Sequence, residues 1–200
     1  MPVSHVIGLF LDPKGEWRRI QEKNYSVPAC IFGHTMILSL IPAVSGFIGT
    51  SQIGWQIGAG APVKLTVSSA GQIAVLYYFA MIAAVVCVGV VIRWMSQTYG
   101  ASQPLSTCMV LASYTASPLF LIGIMQLYPL LWLNFVVGLP ALGYTAYVFY
   151  SGVPIMMQIS QDRGFLFGSA ILAFGLVTLV AMLAVTVFLW GAGFAPVFTR

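Results

Sequence analysis

The sequence predicts an all-α integral membrane protein, a bundle of five transmembrane helices with a short N-terminal interfacial amphipathic helix. The 200 residues are 60% hydrophobic and only 6% charged, whereas soluble domains carry about 25% charged residues. Five apolar runs reach the roughly 20 residues that a helix needs to cross a bilayer. Basic residues collect on one side of these runs, as they do in cytoplasmic segments.

The apolar runs divide the chain into two parts. Residues 1–26 are expected to be a cytoplasmic segment that contains the interfacial helix, and residues 27–200 the transmembrane domain. Inside lipid every backbone amide needs a partner within its own helix or in a closed barrel, and the runs lack the alternation of barrel strands. We therefore expect helical spans at about residues 27–49, 71–95, 107–127, 129–150 and 165–190.

The N-terminal segment reads as an interfacial helix rather than a signal peptide. The apolar stretch at residues 6–11 is too short for a signal peptide, and a charged run follows it. Within residues 12–23, Asp12 can cap a helix, and Trp17 and Ile20 can face lipid while the basic side chains stay in water. The alternative is a solvated and partly frayed tail.

The distribution of basic residues predicts the orientation. One side carries six of them, against Lys64 and Arg200 on the other. This asymmetry puts the N-terminus inside and the C-terminus outside. The external segment at residues 50–70 is either a flexible loop or an ordered hairpin or re-entrant turn. The six residues on the inner side are Lys14, Arg18, Arg19, Lys23, Arg93 and Arg163.

The sequence lacks the motifs of familiar enzymes and cofactor sites. It has no nucleophile elbow, no HExxH motif and no pair of intramembrane acids. Cys30, Cys87 and Cys108 stand too far apart to suggest a metal site. The net charge of +4 comes from few charges, so no basic surface for nucleic acid is expected. We therefore expect no catalytic residue, no metal ion, no cofactor and no nucleic-acid partner.

The third span carries the richest run of polar side chains. Ser113, Tyr114 and Ser117 come just before Pro118. Proline lacks an amide donor and leaves the carbonyl four residues back, here that of Tyr114, for a hydroxyl or a neighbouring helix to satisfy. The pattern predicts a kink beside a polar patch.

Three further residues could belong to that patch. His34 is an ionisable residue within the first span, and it is either a hydrogen-bonded packing residue or a carrier of a proton or metal. Pro42 can kink the same span, and Asn134 adds an amide to the fourth. If these residues converge, they line a polar cavity; otherwise the kinks are static features of the bundle.

A second candidate site consists of basic residues near the inner boundary. Arg18, Arg19, Lys23 and Arg93 could contact anionic lipid head groups. Each such residue contributes about 1 kcal/mol near an anionic membrane surface.

Three motifs give the chain a family resemblance. They are DPKGEWRRI at residues 12–20, FIGTSQIGW at residues 47–55 and SYTASPLF at residues 113–120. The last looks like a Gly-Tyr-x-x-x-Pro core in the third span, with the tyrosine and proline in register and Ser113 where glycine is usual. With these motifs the chain resembles the Yip family of five-span membrane proteins, and in particular its bacterial inner-membrane branch.

The resemblance implies a multi-pass inner-membrane protein that is not an enzyme and that organises or regulates the membrane. Its N-terminus would be cytoplasmic and its C-terminus periplasmic, and its partners would be lipids, a second copy or other membrane proteins. Eukaryotic members interact with Rab GTPases through a longer N-terminal region and an Asp-Leu-Tyr-Gly-Pro motif, which this sequence lacks. The alternative is a small transporter or channel with a cavity lined by the polar third span and His34.

Overall fold

The computed structural model describes residues 5–56, 61–191 and 197–199, and the regular secondary structure within these ranges is helical. Four helices, α3 to α6, are long and apolar enough to cross a membrane. The helices are α1 (His5–Leu11), α2 (Pro13–Glu22), α3 (Val27–Ile53), α4 (Val67–Ser96), α5 (Leu105–Leu127), α6 (Leu131–Met157) and α7 (Gln161–Gly191).

Most helix ends lie beyond the predicted spans because local capping and backbone bonds carry the helices past the apolar runs. At the start of α4 the hydroxyl of Thr66 accepts a hydrogen bond from the amide of Ser69 at 3.3 Å. Helix α6 continues through Pro154 and ends at Met157, and the residue after it, Gln158, has a left-handed φ of 55°. Helix α6 therefore reaches Met157, beyond residue 150, where the fourth predicted span ends.

Two of the long helices depart from regular α geometry. Helix α3 contains a π turn at Ile31–Thr35 and another at Gly49–Ile53. Helix α5 is interrupted at Ala116 and ends in a 3₁₀ turn at Gly123–Leu127. The interruption lies just before Pro118, where the sequence predicts it.

The carbonyl freed by this proline has the kind of partner that the sequence predicts. The hydroxyl of Ser117 donates a hydrogen bond to the Tyr114 carbonyl oxygen at 2.7 Å. The interruption of α5 thus lies beside Pro118, and a serine hydroxyl partners the carbonyl that this proline leaves free. Helices α3 and α6, in contrast, continue through Pro42 and Pro140.

Helix α5 lies at the centre of the bundle. It contacts α3, α4 and α6, and it is the most buried of the four span-length helices. Helix α7 contacts α6 and, less extensively, α4. Helices α4 and α6 therefore leave broad apolar faces uncovered by the protein.

The N-terminal helices form a hairpin that packs on α6. The carboxylate of Asp12 caps α2 by accepting a hydrogen bond from the Gly15 amide at 3.1 Å. Trp17 and Ile20 are 0% and 1% exposed, and the Trp17 indole nitrogen donates to the Val148 carbonyl at 3.0 Å. The expectation that Trp17 and Ile20 face lipid is therefore wrong, because α6 covers the apolar side of α2.

The described part of the segment between α3 and α4 is ordered. Trp55 and Val63 exchange two backbone hydrogen bonds of 2.7 and 2.9 Å, as opposite residues of a hairpin do. Leu65 pairs with Phe198 near the end of the chain. These contacts favour the hairpin alternative for the described residues; residues 57–60 lie outside them.

The contact between α2 and α6 depends on a glycine, which gives a first prediction. A Cβ atom at Gly152 would lie 2.5 Å from Trp17 Cε2, whereas a Cβ at Gly143 on the same helix meets nothing within 4 Å. Gly152→Ala should destabilise the protein by about 1–3 kcal/mol, since the buried indole must shift. Gly143→Ala is the matched control and should be neutral or slightly stabilising.

Thermal unfolding in detergent, together with tryptophan fluorescence, measures this difference. Equal melting temperatures for Gly152→Ala and Gly143→Ala would contradict the observed packing of α2 on α6.

Candidate functional site

The aromatic ring of Tyr114 is the centre of a buried cluster at the end of the bundle that carries the N-terminal helices. We call this ring, with those of His5, Trp17, Tyr25 and His34, the Tyr114 cluster. The centroid of the Tyr114 ring lies 4.2 Å from that of His34, and the other three centroids lie 6.0 to 6.5 Å away. The cluster joins the N-terminal segment to α3 and α5, and Tyr114 is 0% exposed.

A hydrogen-bond chain fixes the position of His34 beside this ring. The His34 Nε2 atom lies 2.9 Å from the hydroxyl oxygen of Ser117, and that hydroxyl donates to the Tyr114 carbonyl. A serine hydroxyl has one proton to donate, so His34 Nε2 must carry the proton in their contact. His34 therefore acts as a donor that ties α3 to the interrupted part of α5.

The N-terminal segment adds a buried carboxylate next to the cluster. Glu16 contacts His5 Nδ1 with one carboxylate oxygen and accepts a 2.8 Å hydrogen bond from Arg19 with the other. His5 Nε2 lies 2.9 Å from the Tyr25 hydroxyl oxygen and 3.2 Å from Lys23 Nζ. The side chain of Glu16 is only 6% exposed, so these partners offset much of the cost of burying its charge.

His5 and Glu16 were not predicted as site residues. The residues adjacent to His5 in the sequence do not indicate a buried position, yet the residue is only 4% exposed. The turn at Asp12 folds α1 back on α2, and Gly8 leaves the space that the Glu16 side chain fills. The turn at Asp12 together with Gly8 on the first helix is the sequence signal that could have indicated the burial of His5 and Glu16.

The structure brings together several of the predicted polar residues, but not all of them. His34, Tyr114 and Ser117 are in contact, and Ser113 and Pro118 are buried on the same stretch of α5. The Tyr114 ring also packs against His5 and Trp17 of the N-terminal helices.

Pro42 and Asn134 have other roles. A Cβ atom at Gly123 would lie 2.5 Å from the Cβ of Pro42, so this proline marks a close contact between α3 and α5. The Asn134 amide donates to the carbonyls of Tyr128 and Leu130 at 3.0 and 2.9 Å, at the start of α6. The structure thus does not bring Asn134 to the Tyr114 cluster.

The four predicted lipid-binding cations do not form one patch. Arg19 is paired with Glu16, Lys23 lies beside His5, and Arg93 is in the last turn of α4. Arg18 instead lines an open groove of about 500 Å³ between α2, α6 and the start of α7. We call it the inner groove; its lining includes Lys14, Arg18, Tyr147, Tyr150, Asp162 and Phe165.

Lys14 was missed as a site residue. It lies four residues before Arg18 on α2, a spacing that places both side chains on one face of a helix. This spacing could have been read from the sequence, but the opposite wall of the groove could not.

The described residues contain no group of three His, Cys, Asp or Glu side chains placed to hold a metal ion. Cys30 and Cys108 are buried and Cys87 is exposed, and all three are free.

Comparison with known proteins identifies relatives over nearly the whole chain. A family model described as the Yip1 domain matches residues 7–182. The chain is 43% identical over 192 residues to inner membrane protein YohC of Escherichia coli K12, covering 96% of this chain and 98% of the relative. YohC of E. coli O6:H1, strain CFT073, matches with the same identity and coverage. No solved structure matches significantly.

The bridging hydroxyl of Ser117 yields a second prediction. Ser117→Ala removes both the donor to the Tyr114 carbonyl and the partner of His34, so it should lower the free energy of unfolding by about 1–2 kcal/mol. Ser96 is a matched control because it is also 0% exposed and donates to the carbonyl three residues back, that of Arg93, at 2.7 Å.

Chemical denaturation in mild detergent compares the two variants. A loss for Ser96→Ala as large as that for Ser117→Ala would show that the contact with His34 adds nothing measurable to stability.

The buried carboxylate yields a third prediction. Glu16→Gln removes the charge that faces His5 and Arg19, and hydrogen bonds to charged groups contribute about 1.5–3 kcal/mol. The hairpin of α1 and α2 should then detach more often, and trypsin should cut faster at its basic residues. Glu22→Gln changes an exposed acid on the same helix and should leave the cleavage rate unchanged; equal rates for both variants would contradict the role of Glu16.

Proposed function

The chain belongs to the Yip1 domain family, and from this premise we propose that it is a non-enzymatic five-span protein of the bacterial inner membrane. It organises the membrane through contacts of its helices with lipids, a second copy or other membrane proteins. In this proposal α7 is the fifth span, the N-terminus is cytoplasmic and the C-terminus periplasmic. The identity to an inner membrane protein over 96% of the chain supports the location.

One observation supports the non-enzymatic role: the side chains best suited to acid–base or nucleophilic catalysis are buried. His5, Glu16, His34, Tyr114 and Ser117 are between 0% and 4% exposed. They contact one another or neighbouring backbone, and these contacts hold α1, α2, α3 and α5 together. A catalytic group must instead reach a substrate.

The outward faces of the span-length helices supply the surface for the proposed contacts. On α4 Leu76 and Phe79 are 70% and 59% exposed, and on α6 Val136 and Leu139 are 62% and 63% exposed. Lipid chains cover such faces, and a neighbouring membrane helix that packs closely against the face can replace these lipid chains. Contact with surrounding molecules is thus the activity that this arrangement supports best.

The transporter or channel alternative receives less support. A conducting pathway requires its polar side chains to border water or a substrate cavity. His34, Tyr114 and Ser117 are each 0% exposed and pack on one another. Asn134 lies at the start of α6, where it bonds to backbone carbonyls.

The topology of this proposal is tested by cysteine labelling. In a background carrying Cys87→Ala, single replacements are made at Lys14, Ser102, Lys64 and Thr199. A membrane-impermeant maleimide should label Lys64→Cys and Thr199→Cys in spheroplasts, and Lys14→Cys and Ser102→Cys only in inverted vesicles. Labelling of Thr199→Cys from the cytoplasmic side would overturn the five-span arrangement.

The organising role is tested by photo-crosslinking in cells. A photoreactive amino acid at Leu76 or Val136 should give a discrete adduct with a second copy or another membrane protein, because both side chains face outward. The same group at Ile92, which is 0% exposed on α4, should give internal crosslinks only. Lipid adducts alone at both outward positions, with a strictly monomeric protein in bilayers, would refute a role in protein association.

A further inference from the structure

We propose that the inner groove binds the head group of an anionic glycerophospholipid of the cytoplasmic leaflet, with phosphatidylglycerol as the fitting chemical class. The inference rests on the proposed function and deepens it, because it names one lipid class and one site. The site differs from the set expected from the sequence: of Arg18, Arg19, Lys23 and Arg93, only Arg18 belongs to it, and Lys14 joins it.

The first argument is the arrangement of the two cations. Lys14 and Arg18 are separated by about 6 Å along α2 and lie on one face of the helix. Both are exposed, and neither forms an ion pair with the residues that the structure describes. Arg19, by contrast, is engaged by Glu16. The groove therefore presents the two cations of α2 that are not neutralised by a protein carboxylate.

The second argument is charge balance across the groove. Asp162 lies on the opposite wall, in the first turn of α7. With Lys14 and Arg18 it leaves a net charge of +1 on the lining. This balance suits a ligand with one net negative charge, and the carboxylate can accept a hydrogen bond from a head-group hydroxyl. A phosphodiester with a glycerol head group has both properties.

The third argument is the apolar part of the lining. The ring of Phe165, which is 61% exposed, stacks on that of Tyr150 at a centroid distance of 5.3 Å. The Tyr150 hydroxyl is held 2.9 Å from the hydroxyl of Ser169, and Tyr147 is 52% exposed beside it. Tyrosine rings favour the membrane–water boundary, with an apolar body towards the acyl chains and a polar tip towards the head groups.

The position of the groove favours a lipid over a soluble anion. It lies between α2, the last part of α6 and the first turn of α7, at the end of the bundle that the proposed topology puts at the inner leaflet. A free phosphate would meet two exposed cations in an open groove and would leave Phe165 and Tyr147 uncovered. A lipid would contact the two cations with its phosphate and cover the aromatic side chains with its apolar part.

The test uses the full-length protein in detergent, mixed with equal amounts of phosphatidylglycerol, phosphatidylethanolamine and phosphatidylcholine, and reads bound lipid by native mass spectrometry. The wild type should retain phosphatidylglycerol preferentially. Lys14→Gln and Arg18→Gln should each lower this retention about fivefold, which corresponds to about 1 kcal/mol per cation. Equal retention of phosphatidylethanolamine by the wild type would overturn the proposal.

Two charge controls separate the groove from a general surface potential. Lys23→Gln removes one charge just beyond the same helix but outside the groove lining, and Lys64→Gln removes one from the other end of the bundle. Both should leave retention within twofold of the wild type. A loss for Lys23→Gln equal to that for Lys14→Gln would overturn a specific site.

A further variant tests the shape of the groove without changing its charge. Ser151 lines the groove, and Ser151→Phe should fill it and abolish the preference for phosphatidylglycerol. Its melting temperature is measured alongside, and the exposed Lys14→Gln variant decides the question if Ser151→Phe does not fold. Displacement of bound lipid by millimolar inorganic phosphate would instead identify a soluble-anion site and overturn the proposal.

A failure of the lipid proposal can be distinguished from a failure of the proposed function. If phosphatidylglycerol shows no preference while cysteine labelling confirms five spans and crosslinking confirms association, this inference alone fails. If Thr199→Cys is labelled from the cytoplasmic side, the five-span proposal fails independently of the lipid result.

Discussion

The carbonyl of Tyr114 is the group on which the arrangement of the bundle depends. Pro118 removes its helical donor, and a carbonyl in the interior of a membrane protein needs a replacement partner. The hydroxyl of Ser117 supplies it at 2.7 Å and in turn contacts His34 on α3 at 2.9 Å. The break in α5 therefore fixes the relation between two helices. His34 is then held beside the Tyr114 ring, against which the N-terminal aromatic side chains pack.

The N-terminal hairpin shows how a charged segment becomes part of a membrane bundle. Trp17 buries its ring against α6 and donates to the backbone of Val148, so both its apolar body and its nitrogen are satisfied. Glu16 is buried beside it with His5 and Arg19 as partners. With its apolar face and Glu16 turned inward, α2 leaves Lys14 and Arg18 on the side that lines the groove with α6 and α7. The packing of the hairpin thus creates the inner groove.

The sequence predicted several long apolar helices and a kink near Pro118, because hydrophobic length and the missing proline donor are local properties. It did not predict which way Trp17 faces. An apolar side chain gains similarly from lipid and from the interior of a bundle, so periodicity alone cannot choose between them. The burial of His5 depends on the fold of a hairpin, and the separation of Asn134 from His34 depends on how the helices pack. Charge counting put both Lys14 and Arg18 on the predicted inner side, but it could not pair them in one groove, since the opposite wall comes from residues more than 120 positions away.

A lipid in the inner groove would act on the structure as well as occupy its surface. Lys14 and Arg18 belong to α2, whereas Asp162 and Phe165 belong to α7. A ligand that touches both binds the docked arrangement better than any state in which α2 has left the bundle. Its binding free energy then adds to the stability of docking, in proportion to the logarithm of lipid concentration over Kd. The same hairpin closes the Tyr114 cluster, so head-group composition at the inner leaflet would be linked to the packing of α3 and α5. Through this physical route a protein with buried reactive groups can respond to the membrane around it.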